Sequence, residues 1–306
     1  MECHPGSVGV GGEDEGVTVG QGEFELRVPP RLVTCTPSRL GTWLDCPRRY
    51  RFAYVDRPSP PKGAPWAHNS VGAAVHVALA AWWQLAPGER TPESAARLVR
   101  ERWQPLGFRD DGQAADWRER AADMVARYVE DLDPTDEPVG VERTVALKTD
   151  RLAVSGRIDR LDRRGEDLVV VDYKTGRHVL STDDARGSLA LALYALAAAR
   201  TMRRECRRVE LHHLPSGEVI AWEHSASSLA RHLERATEIS MEVVAAESVA
   251  AQDGLDAAYP PTPGPLCRWC DYLAHCPQGR LGVPRPTQPW AGLPADIVST
   301  VDEHLE

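Results

Sequence analysis

Residues Asp167–Gly176 read "DLVVVDYKTG", a valine run followed by an acid, an aromatic, a base and a Thr-Gly turn. A short apolar run rich in β-branched residues and bounded by turn residues has the composition of a strand buried on both faces. Side chains alternate along a strand, so Asp172 and Lys174 project to one side and Tyr173 to the other. An acid and a base therefore share a face at the end of a buried strand. The preceding strand-like stretch, "RLAVSGRIDRLD", carries Asp159, and a hairpin between the two brings Asp159 beside Asp172. Two carboxylates held that close repel unless a cation sits between them. A divalent metal meets that need, activates water and offsets charge on a phosphate under attack. Lys174 then suits stabilisation of the developing anion or positioning of the water. An isolated D-x-K triplet is more often a surface ion pair, so its surroundings decide.

Working outward, "VERTVALKT" precedes these two strands across the turn at Thr149–Arg151, and the three read as a meander. Before it lie four helical stretches. The first, "TPSRLGTWLDCPRRYRFAYV", has Thr36 or Ser38 as cap and is broken or kinked at Pro47. "SVGAAVHVALAAWWQL" is apolar apart from His76, where a neutral imidazole can complete a metal site or sit as a satisfied core residue. "TPESAARLVRERWQPL" and "AADWRERAADMVARYVEDL" show helical spacing. After the meander come a helix, "SLALALYALAAARTM", a hairpin of "RRVELHHLP" and "EVIAWEHS" across Ser-Gly, and a final helix from Ser225. The expected class is α/β, with the order αβββαβ behind a helical N-terminal insertion. Residues 1–30 read as a disordered leader, 31–280 as one domain, and 281–306 as a proline-rich tail with room for a short helix.

The chain has 306 residues, 42% hydrophobic and 26% charged, ordinary for a soluble globular protein, with no apolar run long enough to span a bilayer and no secretory signal. A cytoplasmic, membrane-free setting is expected. A net charge of −9 argues against indiscriminate coating of nucleic acid but leaves room for a local basic groove. Arginines bunch at Arg48, Arg49, Arg51 and Arg57 and again between Arg200 and Arg208. No phosphate-binding GxxxxGK[ST] loop is present, so any helicase is a separate partner. Near the C-terminus, "PLCRWCDYLAHCPQG" clusters Cys267, Cys270 and Cys276. In a reducing compartment such clusters point to metal, and a closed site takes four ligands, with zinc and iron both suited to thiolates. Cys3, Cys35 and Cys206 have no partner at ligand spacing. The nine tryptophans read mainly as core, with Trp43 and Trp269 beside the cysteines.

The ordered set "GAAVH", "SGRID", "VVVDYKTG" and a following helix with "ALYAL" resembles the RecB-type branch of the PD-(D/E)xK nucleases, from about residue 34 to about residue 280. Within it, the cysteines are similar to those of the iron–sulfur nucleases, such as the CRISPR-associated prespacer exonucleases and the nuclease domain of AddB. The resemblance implies a restriction-endonuclease-like core. It implies His76, Asp159 and Asp172 as ligands of Mg or Mn, the Tyr173 carbonyl as a further ligand, Lys174 as catalytic lysine and Tyr194 as a motif residue. It implies that Cys46 joins Cys267, Cys270 and Cys276 around a structural 4Fe–4S cluster that staples the C-terminus, with zinc as the alternative metal and His275 as the alternative fourth ligand. The implied activity is exonucleolytic hydrolysis of DNA ends or single strands in repair, recombination or CRISPR-type processing, with DNA and a repair or helicase partner. One departure is Ala190, where the family often has Gln four residues before the tyrosine. The alternative is a non-catalytic nucleic-acid-binding or scaffolding module on the same fold.

Overall fold

The computed structural model describes residues 32–293 apart from 179, 284 and 286. The proposed leader and the short helix of the last dozen residues lie outside that range. A three-residue strand, β1 (Val33–Cys35), leads into α1 (Pro37–Asp45) and α2 (Pro47–Tyr54). Thr36 caps α1 by accepting the Arg39 N–H at 3.2 Å, and the expected break falls at Cys46, the residue before Pro47. Three longer helices follow: α3 (Ala67–Trp83), α4 (Pro92–Glu101) and α5 (Asp111–Glu130). The meander is β2 (Gly140–Lys148), β3 (Leu152–Arg164) and β4 (Asp167–Lys174). Then come α6 (Thr182–Gly187), α7 (Leu189–Met202), the hairpin β5 (Cys206–His213) and β6 (Glu218–Glu223), and the long α8 (Ala226–Asp253).

These strands form one mixed six-stranded sheet. β3 pairs antiparallel with β2 along one edge. Its other edge is shared: β1 runs parallel to Leu152–Val154, and β4 runs antiparallel from Arg160 onward. Among the described residues, 155–159 have no ladder partner on that edge. β4 pairs parallel with β5 through the crossover containing α7, and β6 closes the sheet.

The valines of β4 explain the layers. Val169 and Val171, with Tyr173, pack under α3, α4 and α5, while Leu168 and Val170 face α7 on the other side. A strand buried on both faces has no need of polar alternation, so it reads as a continuous apolar run. α3 buries Val71, Val75, Ala78, Leu79 and Trp82 at i, i+3, i+4 spacing against this core. Each fully buried Val or Leu contributes about 1.5–3 kcal/mol. A third cluster joins α1, β1, the start of β3 and α8 through Leu40, Trp43, Leu152, Val154 and Ile239. The two ends of the domain meet directly. Arg48 Nε donates to the Tyr259 carbonyl at 2.8 Å, Arg51 pairs with Asp256 at 2.6 Å, and Phe52 packs on Tyr272 and Cys276. Trp290 and Leu293, within the stretch read as tail, pack against the helical core. Cys35 and Cys206 are buried core thiols. Among the described residues no helix is long and apolar enough to cross a membrane.

Candidate active site

The unpaired stretch of β3 is where the polar residues gather. The β3–β4 ladder stops at Arg160↔Val171, and one residue further on the Asp159 side chain takes over, Oδ2 accepting the Tyr173 backbone N–H at 2.9 Å. Its other oxygen, Oδ1, lies 3.2 Å from Nδ1 of His76, whose Nε2 meets the Tyr173 carbonyl at 3.1 Å. His76 reaches this point because α3 runs close to the end of β4: a Cβ on Gly72, one turn earlier, would stand 3.3 Å from Thr175 Oγ1. A side chain there would fit only if Thr175 gave way by a few tenths of an ångström.

Beyond Tyr173 the expected face-sharing holds: Lys174 Nζ sits 2.5 Å from Asp172 Oδ2, while the Tyr173 ring turns into the core. Tyr194, on α7, lies against the backbone of Gly156, where an added Cβ would come within 2.5 Å of the ring. The glycine of "SGRID" is thus the gap that lets the tyrosine approach β3. Ala190 lies in the first turn of the same helix.

The most compact ligand group among the described residues is His76, Glu142 and Asp159, each offering one atom within 4.8 Å of the others. Glu142 is the residue that sequence reasoning missed. It belongs to β2 opposite the Asp159 position, between the pairs Val141↔Arg160 and Arg143↔Ile158, and has φ of 49°. Left-handed backbone at a residue other than glycine costs about 1–2 kcal/mol, and such strain gathers at functional sites. Asp172 is not part of this compact group and is engaged with Lys174 instead. The Tyr173 carbonyl faces the His76 ring. Glu142, His76, Asp159 and Tyr194 line one open cleft of about 780 Å³, walled by α3 and the exposed Arg157.

The electrostatics are those of an under-neutralised anionic site. Burial pushes the Asp172 carboxyl up, and the Asp159 charge adds to this against the opposing pull of Lys174. Glu142 is raised by burial first and by Asp159 second, with Arg157 opposing. Burial disfavours a charged His76, yet the hydrogen bond and charge of Asp159, with Asp172 and Glu142 behind it, hold its pKa above the ordinary histidine value. Tyr194 is raised by burial and by both aspartates. A divalent cation among these groups relieves each of these repulsions. An imidazole and two carboxylates form a donor set that fits Mg or Mn, with positions left for water.

The four cysteines are arranged differently. Cys46, at the α1–α2 break, borders one small apolar pocket with Cys267, Cys270 and Cys276. No three of the sulfurs lie within 4.8 Å of one another among the described residues, so they are not placed as the ligands of a single ion. That corrects the expected four-cysteine site, whether 4Fe–4S or zinc: among the described residues the sulfurs are not positioned as a cluster. His275 is turned to the Pro61 carbonyl at 3.0 Å, away from the role of fourth ligand. Backbone N–H groups of Thr262, Gly264 and Gly279 point at the sulfurs of Cys46, Cys267 and Cys276, each at 3.4 Å. The bunched arginines are largely committed: Arg48 is buried, and Arg204, Arg207 and Arg208 contact Glu166, Glu205 and Glu210.

A family model for the PD-(D/E)XK nuclease superfamily matches residues 34–277. Among solved structures, a Eubacterium rectale protein provisionally described as an exonuclease aligns over 80% of this chain and 88% of its own, at 10% identity and a TM-score of 0.47. That likeness is too loose to carry an argument. A search of curated proteins finds no match.

Proposed function

Since the chain belongs to the PD-(D/E)XK nuclease superfamily, we propose that it is a divalent-metal-dependent deoxyribonuclease of the RecB type, an exonuclease working on DNA ends or single strands. The observation that carries this reading is the ligand group His76, Glu142 and Asp159, set beside the Asp172–Lys174 pair. A bound Mg or Mn supplies water activation and charge neutralisation at the scissile phosphate. His76, Glu142 and Asp159 hold it, and Asp172 adds negative charge from the adjoining strand. Asp159, by also taking the Tyr173 N–H, keeps its carboxylate fixed in position. Lys174 stabilises the charge that grows on the phosphate oxygens and orients the attacking water. Tyr194 closes the cleft from the α7 side. Ala190 leaves this wall without the amide often found there, which weakens the grip on Lys174 or the strand.

The test is incubation of the full chain with end-labelled single- and double-stranded DNA in Mg or Mn. Cleavage is expected with either ion and none in excess chelator. A folded protein that cuts neither DNA in either ion supports the non-catalytic binding module instead.

A further inference from the structure

Glu142 stands between Arg157 and the ligand group of His76 and Asp159. Its Oε2 lies 2.6 Å from Nε of Arg157, and one of its oxygens also belongs to the compact group with His76 and Asp159. Arg157 sits two residues before Asp159 on β3, is 69% exposed, and lines the same cleft. The guanidinium opposes, without cancelling, the repulsion that Asp159 exerts on Glu142. A divalent cation among His76, Glu142 and Asp159 takes over that work. It also repels the nearby guanidinium, whose long exposed side chain is free to swing.

The geometry points to an exchange: the metal ion and Arg157 compete for Glu142, and metal entry hands Arg157 over to a phosphate of the strand in the cleft. This rests on the nuclease reading for the identity of the strand, but not for the competition itself. Arg157 is suited to the second task because a guanidinium fork bonds two phosphate oxygens at once, which a lysine does not. The register fits the same scheme: Glu142 stands opposite Asp159 across β2 and β3, which puts the two carboxylates on one face of the sheet. Metal and nucleic acid binding then reinforce each other, each removing the other's competitor.

The exchange differs from a static surface ion pair in a measurable way. Manganese affinity is measured on the full chain without nucleic acid, by calorimetry and by the loss of the free-ion EPR signal. Arg157→Ala is expected to bind Mn about three- to tenfold more tightly, because Glu142 is released. Glu142→Gln, isosteric and able to keep the same backbone, is expected to bind about 10- to 100-fold more weakly. The double variant should match Glu142→Gln alone, since Arg157 acts only through that carboxylate. Oligonucleotide affinity is then read with and without calcium, and wild type should gain affinity with calcium while Arg157→Ala should not. Unchanged Mn affinity in Arg157→Ala, or Mn binding by Glu142→Gln equal to wild type, overturns the exchange. If the Mn series comes out as expected but no DNA is cut under any condition, the exchange stands and the nuclease reading fails.

Discussion

Lys174→Ala lowers DNA cleavage by about 10²–10⁴-fold, the range found when a positioned proton-transfer or charge-stabilising group is removed. Thermal stability and oligonucleotide binding stay near the wild-type values. The expectation follows from where Lys174 sits: Nζ is 2.5 Å from Asp172 at the last residue of β4, and the side chain is 45% exposed, so little packing is lost with it. Its removal also leaves the Asp172 carboxyl without the charge that opposes burial, and the carboxyl drifts further toward its neutral form. Single-turnover rates at saturating metal, with melting curves on the same samples, check both halves. Cutting at the wild-type rate takes Lys174 out of the chemistry. Loss of melting temperature along with rate makes its role structural.

Glu210→Ala lowers stability by about 3–5 kcal/mol, the range for breaking a buried ion pair by removing one partner. Glu210 is 1% exposed in the middle of β5 and holds two guanidinium groups and an imidazole. Arg164 bonds it in bidentate fashion at 2.6 and 2.8 Å, Arg208 Nε lies at 2.7 Å, and His212 Nε2 at 3.0 Å. Burial alone raises a carboxyl, but the hydrogen bonds from His212, Arg164 and Arg208 outweigh it and hold Glu210 well below the usual carboxylate range. A group depressed in the folded state contributes its stability above its unfolded pKa and loses it as pH falls toward the folded value. The difference between wild type and Glu210→Ala is therefore largest near neutral pH and shrinks below the usual carboxylate range. Urea denaturation at neutral and acid pH reads this directly. A gap that widens on acidification contradicts the assignment. Arg164 and Arg208 are nearly half exposed and rehydrate when released, which places the effect toward the lower end.

Much of the centre is legible in the sequence because it obeys local rules. Valines bounded by turn residues mark β4, period two puts Asp172 and Lys174 on one face, and a short turn before β4 brings Asp159 alongside. Pro47 marks the helix break, and an imidazole in an apolar helix marks His76. Glu142 is not legible, because its place opposite Asp159 depends on the register between β2 and β3, and nothing in "VERTVALKT" fixes that register or signals the left-handed residue. β1 escapes for another reason. Three residues of strand gain their stability from a parallel partner, Leu152–Val154, more than a hundred residues away, and no window of sequence contains both. The short α6, absent from the element order read in the sequence, carries its own signal in the Ser181–Asp184 capping box. The placing of the four thiols, bordering one pocket without forming a cluster, is likewise a property of the assembled ends.

The meeting of those ends also bears on how the protein is made. Ribosomal synthesis is directional, so Trp43, Tyr50 and Phe52 emerge roughly two hundred residues before the 256–276 segment that completes their cover. At about 5–20 residues per second, that is a wait on the order of 10–40 s. Throughout it those aromatics, with the Cys46 thiol among them, lack the part of their cover that Ala258, Tyr259, Tyr272 and Cys276 supply. The helices α3 to α5 can associate among themselves in that interval, since their contacts are near in sequence. Closure of the domain therefore falls to the last stage of synthesis or after release.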